Sequence, residues 1–235
     1  VIVADWIASN PDLFPYFPEA QSISDRERVA AAWRGLDLPK PWRATPPSAD
    51  AAFSARFSLP PGAQPRPVQQ RAVEIAWSMA RPGLMLIEAP MGEGKTEAAL
   101  AVAEIFAARS GAGGCYVALP TMATGNAMFP RLLAWLHRVF ASREGRQAVH
   151  LAHSKAALNE QYRELIRAGR RAARGVEVDG SGEERRPSAD RRVASAGLVA
   201  HQWLRGRKKA MLAEFGVGTI DQLLFMGLKS RHLAL

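Results

Sequence analysis

Cysteine is almost missing from this chain: Cys115 is the one copy. A lone cysteine excludes a disulfide framework and any cysteine-based zinc site. Its place in the apolar run Cys115-Tyr116-Val117-Ala118-Leu119 predicts a small core residue in a reducing compartment, the cytoplasm. No apolar run approaches the ~20 residues that a bilayer-crossing helix needs, so no membrane partner is expected. A basic-then-apolar leader and an initiating Met are lacking too, and the opening Val1-Ile2-Val3-Ala4 reads as the middle of something longer. Histidine does not occur before His137, and His137, His150, His153, His201 and His232 share no metal-ligand spacing beyond His150-x-x-His153. They are read as structural or surface residues. No Ser/His/Asp or Cys/His arrangement is visible, and no Asp-Glu pair occurs.

What remains is a chain of 235 residues, 48% hydrophobic and 23% charged. That composition suits a soluble globular protein with a sizeable core, and the length suits one full domain plus a fragment. The formal net charge of +9 favours a polyanionic partner such as nucleic acid.

Ala89-Pro90-Met91-Gly92-Glu93-Gly94-Lys95-Thr96 carries the most chemistry. It follows the apolar run Leu84-Met85-Leu86-Ile87 and opens a helical run from Glu97 to Ala108. A glycine-bearing loop between strand and helix, ending in Lys-Thr, is a phosphate cradle for a nucleoside triphosphate. Gly92, Glu93 and Gly94 turn backbone N–H groups toward the β-phosphate, and Lys95 reaches the β- and γ-oxygens. The Thr96 hydroxyl can hold Mg²⁺, so Lys95 and Thr96 are the candidate catalytic residues. The strict pattern begins with Gly, where this chain has Ala89.

Val1 to about Pro47 reads as the tail of one unit, with a short helix to Trp33 behind the capping box Ser24-Asp25-Arg26-Glu27. Two proline clusters, Pro39 to Pro47 and Pro60 to Pro67, bound a linker over 48–67. From Val68 onward, helix and strand signals alternate. Val68, Ala72, Ile75, Ala76 and Met79 form one helix face. A strand over 84–88, a helix near 95–109 and a strand over 115–119 make a βαβ unit with parallel strands. A helix over 131–141, a strand over 148–152 and a helix bearing Leu158, Tyr162, Leu165 and Ile166 come next. A strand over 216–220 and a helix over 221–229 complete an α/β domain with a parallel sheet, of the RecA type. The polar segment 169–192 reads as a surface loop.

Gln69, upstream of the phosphate loop, can donate to and accept from the N7/N6 edge of adenine at once; Gln70 is its confusable neighbour, and a plain helix-start glutamine is the simpler alternative. Thr121, in Leu119-Pro120-Thr121-Met122-Ala123-Thr124, ends a strand and begins a helix; with Thr124 it can hold a nucleic-acid phosphate or simply cap the helix. Thr219, in Gly218-Thr219-Ile220-Asp221-Gln222, repeats that arrangement, again with a capping alternative. Two strand-end threonines on one sheet edge make a track for a single strand. Arg207 and Lys208, in Arg205-Gly206-Arg207-Lys208-Lys209, form a phosphate patch. Arg163–Arg192 has nine arginines against six acids and reads instead as a solvated face.

Taken together, Ala4-Asp5-Trp6-Ile7-Ala8-Ser9-Asn10, Pro65-Arg66-Pro67-Val68-Gln69, Glu88 to Leu100, Leu119 to Phe129 and Gly216 to Gln222 resemble the CRISPR-associated helicase–nuclease family of type I systems. The resemblance implies an HD nuclease domain fused to two RecA-like domains, recruited by the Cascade complex, that moves 3′ to 5′ on single-stranded DNA with ATP hydrolysis. It implies that 1–47 are the C-terminal remnant of the HD domain and 68–235 an incomplete first RecA-like domain. Asp5 then matches the last metal-ligating Asp of the HD site, which takes a divalent transition metal. Gln69 matches the adenine reader, Gly92 to Thr96 the ATP loop, and Thr121 and Thr219 the strand-gripping motifs. The upstream histidines, the Asp-Glu-x-His motif and the arginine finger of that family have no counterpart here, so negligible turnover is expected of these residues alone. The alternatives are another superfamily-two helicase or DNA-dependent ATPase, and a non-catalytic, nucleotide-gated nucleic-acid-binding module.

Overall fold

A computed structural model of the chain describes residues 2–14, 24–141, 146–173, 198–201, 203–204, 209 and 212–227. Helices α1 (Ile2–Ala8), α2 (Asp25–Leu36), α3 (Ala52–Arg56), α4 (Pro67–Ser78) and α5 (Lys95–Ser110) precede the first strand. Then come β1 (Cys115–Leu119), α6 (Met122–Val139), β2 (Gln147–Ala152), α7 (Glu160–Ala173), β3 (Leu198–Val199), β4 (Phe215–Thr219) and α8 (Ile220–Gly227). The strands form one sheet in the order β1-β4-β2-β3, and every pairing is parallel. The expected α/β class with a parallel sheet is borne out.

Local chemistry explains where the helices begin. The Ser24 hydroxyl accepts from the Glu27 N–H while the Glu27 carboxylate accepts from the Ser24 N–H, the reciprocal box expected from spacing. The Ser24 hydroxyl also donates to the Glu27 carboxylate at 2.7 Å, and this bond, followed by the one from the Ser24 N–H, holds the Glu27 carboxyl below its usual range. Helix α6 begins behind Thr121, where the strand-end threonine marks a helix start, and runs unbroken through Pro130 into the helix read over 131–141.

The strand expected over 84–88 does not form among the described residues. The stretch has no regular structure, yet its burial alternates: Met85 and Ile87 pack partly against a helical cluster, while Leu84 and Leu86 are 86% and 83% exposed. Alternation marks which side chains turn inward, but a strand also needs a neighbour to exchange hydrogen bonds with. The βαβ unit read from the sequence therefore reduces to α5 and β1, and parallel pairing comes from β4. The segment read as a polar loop over 169–192 begins as helix, because α7 extends to Ala173; its remainder, 174–192, lies outside the described residues.

Strand β4 sits at the centre. Phe215 and Val217 are fully buried and face α6, where Phe215 meets Trp135, Phe140 and Trp42 edge-on at centroid distances of 6.3, 5.6 and 5.1 Å. Gly216 and Gly218 point the other way, and the Tyr116 ring of β1 lies across them. A Cβ on Gly218 would come within 2.0 Å of the Tyr116 hydroxyl, so no larger residue fits.

The proline-flanked stretch packs tightly. Trp42 is 2% exposed, donates its backbone N–H to the Gly113 carbonyl at 3.0 Å and stacks edge-on against Trp135. Phe53 of α3 is 1% exposed, and Arg56 at the end of α3 forms a bidentate pair with the buried Glu104 of α5, at 2.8–3.1 Å. The same guanidinium donates to the Thr45 carbonyl at 3.0 Å.

Candidate functional site

Helix α5 ends at Ser110 and β1 starts at Cys115. A connection this short suits an antiparallel helix and strand, the arrangement in which a helix N-terminus comes to the carboxyl edge of a parallel sheet. That edge is where parallel α/β sheets bind ligands. Residues 91–94 form the turn into α5, with Gly92 at φ +85° and Gly94 at φ +73°. A side chain at Gly94 would be strained by the left-handed backbone, and its Cβ, 2.1 Å from the Gln69 amide nitrogen, would push that amide aside. Around Gly92 the space is open.

Lys95 folds back over the loop and donates from Nζ to the Ala89 and Pro90 carbonyls at 2.5 and 2.7 Å. An ammonium held by two loop carbonyls beside unblocked glycine backbone is a donor set suited to phosphate oxygens. Thr96 is the second residue of α5 and is half-buried.

Gln69 is 6% exposed, and its amide is engaged within the chain. Oε1 accepts the Arg66 N–H at 2.9 Å, and Nε2 donates to the Gly94 carbonyl at 3.2 Å. It thereby ties the start of α4 to the last loop glycine, leaving one amide hydrogen and one lone pair for anything else. Gln70 is exposed and donates to the Pro65 carbonyl. Glu93 accepts from the Arg66 guanidinium at 3.1 Å, and Glu97, in the first turn of α5, pairs with Arg131 of α6.

At the other strand ends, Thr121 is the N-cap of α6 and shares a capping box with Thr124. Each hydroxyl accepts the other residue's N–H at 3.2 Å. Thr219 closes β4 opposite Leu119, so Thr121 and Thr219 lie on one edge, two register steps apart. Strand β2 ends beside them, with Ala152 opposite Gly218. The polar cluster just past β2 is absent from the sequence expectations. There, His153 Nε2 meets the Asn126 side-chain oxygen at 3.1 Å, Asn126 also accepts from Asn159, and Ser154 reaches Met122. Burial lowers the His153 pKa. Its one sequence signal is a set of polar residues after an apolar strand, and nothing in sequence joins 126 to 153.

Arg207 and Lys208 lie outside the described residues. Asp5 is exposed on α1, and no group of three potential metal ligands occurs among the described residues. Nor, among them, is any helix long and apolar enough to cross a membrane.

No family model matches the chain. Curated proteins do. The CRISPR-associated nuclease/helicase Cas3 of Streptococcus thermophilus is 32% identical over 100% of this chain and 23% of its own length. The CRISPR-associated endonuclease/helicase Cas3 of Thermus thermophilus is 37% identical over 97% of the chain and 23% of its own. Among solved structures, T. fusca Cas3 with AMPPNP superimposes with a TM-score of 0.66 at 30% identity, covering 99% of this chain and 23% of that one. T. fusca Cas3 with ADP gives 0.67 at 31% identity, covering 100% and 24%. The chain thus spans about a quarter of the length of the relatives it matches. With likeness in sequence along its whole length and in the arrangement of its parallel sheet, this chain belongs to the CRISPR-associated Cas3 nuclease/helicase family.

Proposed function

We propose that this chain supplies the ATP-phosphate cradle and part of the DNA track of an ATP-driven single-strand translocase and nuclease that degrades foreign DNA in type I CRISPR interference. The supporting observation is the Lys95 ammonium, held by two carbonyls over a loop that turns through two left-handed glycines, Gly92 and Gly94, into the start of α5. In this reading Lys95 exchanges the Ala89 and Pro90 carbonyls for phosphate oxygens, and the N–H groups of Gly92, Glu93 and Gly94 share the remaining negative charge. Thr96 would hold the Mg²⁺ that accompanies the nucleotide, and the ion would supply neutralising charge at the phosphates. Gln69 positions Gly94 and offers the rest of its amide to adenine.

Because Thr121 and Thr124 use their hydroxyls to cap α6, the Met122 and Ala123 N–H groups are the donors left for a DNA phosphate. Thr219 grips the next phosphate, and Arg207 and Lys208 add charge that carries no base preference. Residues 1–47 are assigned to the C-terminal part of an HD nuclease domain, to whose metal site Asp5 would contribute one ligand without the companions it needs among the described residues, 48–67 to a linker and 68–235 to the first RecA-like domain. The setting is the cytoplasm, and the recruiting partner is the Cascade complex.

Titration with a fluorescent ATP analogue tests the cradle. Lys95→Ala should weaken binding about 10- to 100-fold, the span of a charge-assisted hydrogen bond, while leaving single-stranded DNA affinity in place. No saturable nucleotide binding by the unsubstituted chain would overturn the reading.

A further inference from the structure

A site for a polyanion should not contain an unpaired carboxylate, yet Glu93 lies inside this phosphate loop. It is the sole acid between Ala89 and Thr96. The next acid along, Glu97, is in the first turn of α5 and is covered by Arg131 of α6. Glu93 is covered by Arg66, from the start of α4, with guanidinium and carboxylate 3.1 Å apart. Two acids at the mouth of the cradle are each neutralised by an arginine from a different helix.

Arg66 is held in place by more than this pair. It stands between Pro65 and Pro67, and the proline after it confines it to extended backbone, observed at φ −71° and ψ 156°. Its N–H is fixed by Gln69, whose other end holds Gly94. The guanidinium therefore starts from a backbone already tied to the loop it serves. As a contact for folding the pair is weak, because its side chains are 52% and 35% exposed and such pairs contribute little. Its electrostatic effect on a bound triphosphate is larger, because several phosphate charges act on one unmasked carboxylate.

We propose that Arg66 is a positioning residue for the nucleotide: it masks Glu93, so that the triphosphate meets a loop with no unpaired negative charge. This rests on the cradle assignment above and adds to it a residue that need not touch the ligand.

The experiment measures affinity for a fluorescent ATP analogue in the full chain. Arg66→Ala should weaken binding by about five- to tenfold, as expected for one charge unmasked several ångströms from a polyanion. The loss should shrink as salt is raised. Glu93→Gln placed in the Arg66→Ala background should bring the affinity back to within about twofold of the original, since there is then no charge left to mask. The melting midpoint without nucleotide should stay within about 1 °C, given how little an exposed pair contributes. Should Arg66→Ala lower that midpoint further, Arg66→Gln carries the same comparison while keeping the stem of the side chain. A double variant as weak as the single one overturns the proposal, because Arg66 would then act by direct contact or through structure. So does an Arg66→Ala variant that binds normally. No binding by the unsubstituted chain overturns both readings; failure of Arg66→Ala or of the rescue overturns this one alone.

Discussion

Two apolar clusters share this molecule, and they are held by different means. The sheet-centred cluster gathers Trp42, Phe129, Trp135, Phe215 and Val217 around β4, whose backbone is paired on both sides. The helical cluster beside the glycine loop is built largely of small residues, Ala52, Ala72, Ala76, Ala98 and Ala101, with Phe53, Val73 and Ile105. Beside it, Leu84 and Leu86 stay exposed and the 84–88 backbone is unpaired by any strand among the described residues. Side chains take over there: Gln69 to Gly94, Arg66 to Glu93, Arg56 to Glu104. The edge bearing Thr121 and Thr219 is fixed by backbone ladders, and the glycine loop by a handful of polar contacts that a ligand can rearrange.

Substitutions can break that contrast. The largest effect is expected from Trp135→Ala, which removes a ring 1% exposed and should cost about 3–5 kcal/mol. Amide exchange should speed up across β1 and β4. Arg56→Met should cost about 3 kcal/mol, because it strands the Glu104 carboxylate in the helical cluster. Its exchange signature should fall on α5 and the phosphate loop while β4 keeps its protection. If both variants loosen the same amides equally, the two regions are one cooperative unit and the distinction dissolves.

Glu214→Gln sharpens the contrast with the smallest effect. Burial raises the Glu214 pKa although its carboxylate accepts the Ala148 N–H at 3.0 Å. A carboxyl with a raised folded pKa favours the fold while protonated, and that contribution is lost as pH climbs through the folded value. At neutral pH the glutamine, which keeps an acceptor for Ala148, should therefore raise the melting midpoint by about 1–2 °C. The gain should vanish in acid, below the usual carboxylate range. A gain that persists there would assign the effect to packing.

Features written in short-range chemistry are legible in the sequence. The Ser24 box, the Thr121 cap, the apolar face of α4 and the glycine loop each depend on residues within a turn of one another. The strand expected at 84–88 fails because pairing depends on a neighbour, and the period of Met85 and Ile87 cannot supply one. Trp42 and Phe53 are hidden in a proline-bounded stretch, where no period announces burial. Their contacts lie on Gly113, Trp135 and the helical cluster, far along the chain. Gln69 stands out for its amide, but its buried tie to Gly94 depends on a 25-residue separation. The glycines of β4 stand out as a motif, while their reason, clearance for Tyr116, emerges only when 116 and 216 are side by side.

The place of β4 in the sheet has a consequence for synthesis. Its neighbours β1 and β2 both leave the ribosome well ahead of it, and neither is the other's partner in the finished sheet. Until Thr219 emerges, both carry open hydrogen-bonding rims beside uncovered aromatic rings. The nascent chain is thus most exposed to clumping during that interval, and slowed translation before Phe215 would lengthen the hazard.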